Sequence, residues 1–528
     1  MVRHYFIVLS IVLPALTLIA SLFWSPVLWL FVLWVPIISL GVYDLMQTGR
    51  TLLRLYPVIG HLRYIFEAIR PEIQQYFVES DLDGRPLSRE FRSLVYQRAK
   101  GMRDTRPFGS QFDFYRPGCE WISHSLAPTQ LNTQHPRVTF GGPDCTQPYA
   151  ASPLNISAMS YGALSRNAIL ALNLGAKINN FAHNTGEGGL SEHHLKYGGD
   201  IIWQIGTGYF GCRNPEGGFG AELFASKAVH KSVKMIEIKL SQGAKPGHGG
   251  ILPAAKLTEE IAAIRHVPLG EDVVSPAAHS SFSSPIGLLE FVAELRRLSN
   301  GKPIGFKLCI GHKSEFMGIC KAMVATGITP DFVTVDGSEG GTGAAPIELA
   351  NSVGTPMREG VNFAHNAMTG FGVRDKIRLI GAGKVLSAFH LFRVLALGAD
   401  TVNSARAMML ALGCIQSKSC NTDLCPTGVA TQDPSRYRSL DVPSKGQRVA
   451  NYHASTVLHL VELLEVAGLE RLEDIRSRHV SHRVGGPEVK TFAEIYPEIE
   501  SSCLLEEKNV PESWLVSWQH CAADRWDV

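Results

Sequence analysis

Phe332-Val333-Thr334-Val335 runs into Asp336-Gly337-Ser338-Glu339-Gly340-Gly341-Thr342-Gly343, a short apolar stretch that ends in a polar, glycine-dense loop. Beyond Pro136 the same order returns: an apolar run, a Gly/Ser/Asn-rich loop, then a segment with apolar residues at three- and four-residue spacing. That rhythm reads as β/α units. Candidate strands fall at 154–158, 180–184, 201–205, 235–240, 304–309, 332–335, 377–380 and 401–403, and candidate outer helices include 165–177, 257–264, 286–298 and 386–397. This is the strand number of a closed parallel barrel, with a doubly wound sheet as the alternative α/β fold. The (β/α)8 TIM barrel is favoured because each unusual cluster follows a strand rather than preceding one, where such a barrel keeps its chemistry.

Those clusters are Ser157-Ala158-Met159-Ser160-Tyr161-Gly162, Asn184-Thr185-Gly186-Glu187-Gly188-Gly189, Ser241-Gln242-Gly243-Ala244-Lys245-Pro246-Gly247, the loop after Val335, and Gly381-Ala382-Gly383-Lys384. Glycine lets backbone N–H groups approach a ligand closely. The loops at 381–383 and 404–406, after the last two strands, lie where barrels commonly bind phosphate, so a phosphorylated cofactor is expected. Gly206-Thr207-Gly208-Tyr209-Phe210-Gly211 matches the dinucleotide fingerprint literally, but Cys212-Arg213-Asn214-Pro215 follows it in place of a helix, and no acid stands about twenty residues on in a second strand. Electrons are therefore expected from a partner.

Cys414, Cys420 and Cys425 form a compact C-x5-C-x4-C loop closed by Pro426 and Thr427-Gly428-Val429-Ala430-Thr431-Gln432. Thiolates are soft ligands, and such a loop can hold a three-iron cluster, or a four-iron cluster with a fourth ligand from elsewhere. A zinc site usually shows paired C-x2-C knuckles or a completing His, which this loop lacks; three buried structural thiols are the remaining alternative. The 10 cysteines are otherwise spread thinly over 528 residues, which is no disulfide framework and fits a reducing compartment. A formal charge of +2 with no basic block gives nucleic-acid binding no electrostatic footprint.

Residues 5–43 are almost wholly apolar and uncharged, enough for two bilayer crossings of about 20 residues each, with Ser25-Pro26 as the turn between them. Arg3 precedes the first span and Arg50 and Arg54 follow the second, so both ends are expected in the cytoplasm and the body on the cytoplasmic side of an inner membrane, as a two-pass anchor. A cleaved signal peptide is the alternative, although its apolar core would run only about 7 to 15 residues. From 52 to 100, charged and apolar residues alternate as in amphipathic helices, which could lie on the bilayer or pack on the body. The expected organisation is a transmembrane hairpin at 1–48, a helical linker at 49–135, the barrel with its cysteine loop at 136–435, and a helical extension at 436–528.

The stretches Met159-Ser160-Tyr161-Gly162-Ala163-Leu164-Ser165, Thr185-Gly186-Glu187-Gly188-Gly189, Gln242-Gly243-Ala244-Lys245-Pro246-Gly247, Gly340-Gly341-Thr342-Gly343-Ala344 and Leu412-Gly413-Cys414 through Thr431-Gln432 resemble, in order and spacing, the flavin domain of the glutamate synthases. With the hairpin and Pro57-Val58-Ile59-Gly60-His61-Leu62-Arg63, the whole chain resembles the shorter, stand-alone, membrane-anchored relatives of that enzyme. The resemblance implies FMN in the barrel mouth and a 3Fe-4S cluster on Cys414, Cys420 and Cys425. It implies an oxidoreductase of the class acting on CH–NH2 donors, which aminates a 2-oxo acid reductively with electrons passed from cluster to flavin.

For the flavin, the expected residues are Ala158, Met159, Ser160, Gln204, Lys307, Gly341, Gly343, Gly381, Gly383, Ser404 and Arg406. Lys307 would place a cation near the reduced ring. Gln242, Lys245 and Arg265 would meet a dicarboxylate, and Glu187 would stand between cluster and flavin as a proton carrier or an orienting group. Lys239 reads as a solvated rim lysine, His279 as a loop hydrogen-bonder, and Arg265 alternatively as the end of an outer helix.

The chain departs from the family pattern at Ser275-Pro276-Ala277-Ala278-His279-Ser280-Ser281, where Pro-Pro-His-His-Asp is usual, and at Ser338-Glu339, where His-Asp is usual. Both loops face the substrate side, so the oxo acid is less constrained than the flavin. Val2 rather than a catalytic cysteine follows Met1, so nitrogen is expected from free ammonia, an amine or a partner glutaminase, and electrons from a ferredoxin-like protein or reductase subunit. Three alternatives stand beside glutamate formation: an N-methylglutamate synthase-like enzyme using an amine, a membrane-linked flavin redox enzyme, and a non-catalytic scaffold.

Overall fold

A computed structural model describes residues 2–526. The chain divides into two compact units, one ending at Arg89 and the other beginning at Glu90.

The first unit opens with two apolar helices, α1 (Val2–Ser21) and α2 (Phe31–Met46), joined through a 3-10 turn at Ser25–Leu30 that Pro26 initiates. Gly41 on α2 leaves room for the Phe6 ring of α1, so the two helices approach closely. Val2–Ser21 and Ser25–Met46 are each long and apolar enough to cross a membrane, a test that a signal sequence near an N-terminus also passes. A short helix at Thr51–Leu55 leads to α3 (Gly60–Ile73).

The second unit is built on a closed, parallel, eight-stranded barrel. Its strands are β1 (Leu154–Ile156), β2 (His183–Asn184), β3 (Ile201–Ile205), β4 (Val233–Lys239), β5 (Ile304–Leu308), β6 (Phe332–Asp336), β7 (Arg378–Ala382) and β8 (Thr401–Ser404), and β8 pairs with β1 to close the ring. Each expected strand is present, and the doubly wound alternative is excluded by that closure. The expected outer helices appear as α4 (Arg166–Asn179), then Glu259–Arg265, Pro285–Leu298 and Ala388–Ala396, all four of which start after a serine or threonine whose side chain accepts a backbone N–H as an N-cap. A hairpin of Val138–Phe140 and Tyr149–Ala151 packs Phe140 edge-on against Phe332 at the N-terminal end of β6.

The segment 436–528, expected to be helical, contains the long helix α5 (Val442–Ala467) and also a β-hairpin, Val480–Gly485 with Glu488–Thr491, onto which Glu120–Ile122 pairs. α5 lies close against α4, because Gly446 faces Leu174 and Gly175 faces Val449, where any added side chain would collide. Two elements outside the barrel thereby brace it.

Candidate active site at the barrel mouth

Strand register decides which side chains share the barrel interior, since partners side by side in a parallel ladder point the same way. Gln204, Glu237 and Gly305 stand in one row; Lys239, Lys307, Thr334, Ile380 and Thr401 stand in the next; Asp336, Ala382, Asn403 and Asn155 stand in the third. Branched apolar residues usually fill these rows. Here they carry charge.

Glu237 is fully buried and accepts three hydrogen bonds: from Gln204 Nε2 at 2.6 Å, Asn184 Nδ2 at 3.0 Å and Thr334 Oγ1 at 2.8 Å. Above it, Lys307 Nζ pairs with Asp336 Oδ2 at 3.0 Å, and Asp336 also accepts the Gly243 N–H at 3.1 Å. Burial alone would lower the Lys307 pKa, but Asp336, Glu237 and Glu187 outweigh it and hold the ammonium above the ordinary lysine value.

Glu187, from the loop after β2, pairs with Lys239 Nζ at 3.0 Å, and Lys239 also donates to Gln242 Oε1 at 2.8 Å. Burial would raise the Glu187 carboxyl; Lys239, with Arg265 and Lys245, overrides it and holds the group below the usual carboxylate range. Lys239 is thus no solvated rim residue: it is only 8% exposed and forms the centre of this cluster. His279 braces it from behind, one ring nitrogen meeting the Lys239 carbonyl at 2.9 Å and the other the Tyr209 hydroxyl at 3.1 Å.

Lys245 is 3% exposed, and its ammonium makes no hydrogen bond or ion pair among the described residues. Burial lowers its pKa, with Glu187 opposing and Lys239 adding. Arg265 does end the helix Glu259–Arg265, yet it is buried, donates to the Tyr161 carbonyl at 3.2 Å, stacks over Phe210 and leaves Nε without a partner. Burial pulls its guanidinium down to about 10, which leaves it cationic at neutral pH. A narrow pocket, partly open to solvent, lies among Glu187, Lys239, His248, Pro276 and Ala277.

The residues expected around a flavin divide into two groups. Gln204 and Lys307 face the interior, and Arg406 reaches across to the Glu339 carbonyl at 2.5 Å, its chain lying against Gly341. Gly343 faces open space, and Met159, with Ala158 and Ser160 beside it in the loop after β1, bonds through its N–H to the Asn184 carbonyl at 3.3 Å. Gly381 points the other way: its missing side chain makes room for Val394 of the outer helix. Gly383 abuts Met357, and the Ser404 hydroxyl is engaged by the Val385 carbonyl at 2.7 Å. Asn403 Oδ1 and Thr401 Oγ1, by contrast, are buried in the interior rows without partners, which suits a polar cofactor.

The cysteine loop is clamped to this mouth. Ser165 donates through N to the Val429 carbonyl at 2.9 Å and through Oγ to the Gly428 carbonyl at 2.6 Å, and Gln432 Nε2 donates to the Gly162 and Leu164 carbonyls at 3.0 and 2.9 Å. Lys256, which sequence reasoning passed over, is buried and donates to the carbonyls of Ala163, Cys420 and Ala430 at 2.8, 3.2 and 3.2 Å. All three thiols are free. Burial pushes Cys414 up to about 12, with Cys420 and Cys425 adding to it; burial also acts on Cys425, but N–H groups of Ala430, Thr427 and Val429 and the Thr427 hydroxyl outweigh it. Among the described residues no three His, Cys, Asp or Glu side chains converge on one metal ion. A cluster asks for something else, since each thiolate binds its own iron, and the N–H cradle at Cys425 suits such a ligand.

Residues 124–470 match the family described as the conserved region in glutamate synthase. The chain is 38% identical to the glutamate synthase large subunit-like protein YerD of Bacillus subtilis, a match covering 83% of this chain and 91% of that one. It is 36% identical to the archaeal glutamate synthase [NADPH] of Methanocaldococcus jannaschii over 62% of this chain and 61% of that one. To ferredoxin-dependent glutamate synthase 2 of Synechocystis it is 32% identical, over 61% of this chain and 21% of that much longer protein. Together with the closed barrel and its charged mouth, these matches place the chain in the glutamate synthase family of oxidoreductases.

Proposed function

We propose that this chain is an FMN and iron–sulfur oxidoreductase that aminates a 2-oxo acid reductively, 2-oxoglutarate or a close analogue, with nitrogen from ammonia, an amine or a partner glutaminase. The observation that carries the reading is Lys245, a residue only 3% exposed whose ammonium makes no hydrogen bond or ion pair among the described residues, set beside the Glu187–Lys239–Gln242 cluster. A buried cation without a counter-group is costly unless a ligand completes it. A carboxylate is the fitting ligand, and Arg265 stands close enough to influence the same glutamate.

When bound, FMN would supply hydride chemistry and the cluster one-electron delivery. Lys307, held protonated by Asp336 and Glu237, offers the fixed positive charge that an anionic reduced ring needs. Asn403, Thr401 and Gln204 would hold polar edges of the cofactor, and Arg406, Gly341, Gly343 and Gly383 its phosphate end. Gln242 already gives its carbonyl oxygen to Lys239, so its amide N–H groups remain to orient substrate. Glu187 is held ionised and is therefore a poor proton donor at neutral pH; its task is to orient Lys239. Cys414, Cys420 and Cys425 would ligate the cluster, at a loop fixed to the mouth by Ser165, Lys256 and Gln432. A ferredoxin-like protein or reductase subunit would deliver electrons there. The apolar hairpin would anchor the enzyme as a two-pass protein with its catalytic unit in the cytoplasm.

Ala277 lines the pocket where a proline is usual, and this smaller wall favours a second reading, an alkylated amine or a larger oxo acid. The test is a screen of 2-oxo acids with ammonium and with methylamine, driven by dithionite or reduced ferredoxin, with amino acid products identified by mass. Glutamate from 2-oxoglutarate and ammonium supports the first reading, and N-methylglutamate the second. No product from any pair refutes both.

A further inference from the structure

We infer that α3 is a second membrane contact, a helix lying in the plane of the lipid headgroups with its apolar side in the bilayer. Leu62, Ile65, Phe66, Ile69 and Ile73 fall at the spacing of one helix face, and every one of them is between 40 and 60% exposed. Phe77, one turn on, is 84% exposed. The other side is polar, with Arg63 and Glu67 paired one turn apart at 2.9 Å. An apolar stripe of that size left in water is unfavourable, and a bilayer surface is the occupant that its position selects.

That position is fixed by Asp44. This residue lies in the last turn of α2, is fully buried, and accepts the Val58 N–H and His61 Nε2, both at 2.8 Å. Val58 takes a left-handed backbone conformation, φ 65°, that turns the chain from one helix into the next. The carboxylate therefore ties the first turn of α3 to the end of the apolar hairpin, which is where hydrocarbon gives way to headgroups. Between 49 and 73, four arginines stand against two glutamates, a balance that suits anionic lipid.

The inference rests on the hairpin being a membrane anchor, so the experiment reads both. A photo-reactive phenylalanine analogue is placed singly at Phe66, Ile69, Glu67 or Leu18 of the full chain, which is then reconstituted in phosphatidylcholine/phosphatidylglycerol vesicles. Lipid adducts at Leu18, Phe66 and Ile69, with loss at Glu67, are expected. Adducts at Leu18 alone, or crosslinks from Phe66 and Ile69 to residues beyond Arg89 or to a second copy, overturn the interfacial helix while leaving the anchor. No lipid adduct at Leu18 removes the anchor, and the inference with it.

Discussion

Replacing Glu237 by glutamine keeps the size of the side chain but takes the charge out of the barrel interior. The carboxylate now accepts from Gln204, Asn184 and Thr334 at 2.6, 3.0 and 2.8 Å. Hydrogen bonds to an ionised acceptor are about twice as strong as neutral ones, so the change weakens each by about 1 kcal/mol and costs about 3 kcal/mol in all. The amide can still accept from Gln204 and Asn184 while the Thr334 hydroxyl rotates to accept, so the fold survives. Glu237→Leu leaves three buried donors without partners and is expected to unfold the barrel. The assay is urea denaturation of the detergent-solubilised chain followed by tryptophan fluorescence. Lys307 also loses one of the carboxylates that keep it protonated, so FMN affinity of Glu237→Gln should fall at lower pH than in the parent. A stability loss below about 1 kcal/mol would refute the reasoning, because it would mean that the three donors do not meet a charge.

Lys256→Met removes the donor shared by Ala163, Cys420 and Ala430, and faster hydrogen exchange confined to 414–432 and the loop after β1 is expected. Cys420→Ser should abolish the paramagnetic cluster signal while bound flavin remains; an unchanged spectrum removes Cys420 from the ligand set. Gly243→Ala would drive a methyl into the Gly337 carbonyl oxygen, so the loops after β4 and β6 must part, and substrate turnover should be lost with little change in expression. His279, whose pKa burial pushes down to about 4, stays neutral in the fold while the unfolded chain takes up a proton near 6.5. Stability therefore falls as pH drops from 6.5 toward 4, by up to about 3 kcal/mol from this residue, and a flat denaturation profile over that range would contradict its burial.

The barrel was legible because most of its strands are apolar runs closed by a glycine-rich loop, a pattern that local sequence carries. The interior rows were less so. Glu237 stands between Ile236 and Ile238 in a strand buried on both faces, where apolar runs look continuous, although a single acid in such a run is itself the signal. A strand-end lysine is usually solvated, and nothing local to Lys239 says otherwise; its partner Glu187 comes from another loop, and only closure of the barrel brings them together. The part played by Lys256 could not be read at all, since it recognises backbone carbonyls, which leave no mark in sequence. The C-terminal hairpin had a usable cue, the Gly485-Gly486 pair where Val480–Gly485 turns into Glu488–Thr491.

The central claim is that FMN and an iron–sulfur cluster work together at the barrel mouth. The most direct measurement is the cofactor content of the full chain purified anaerobically, by visible absorption, flavin release on heating, and iron and sulfide analysis. The account predicts yellow-brown protein with one FMN per chain and iron and sulfide that are both lost in Cys420→Ser. Colourless protein, without flavin or iron, would contradict it.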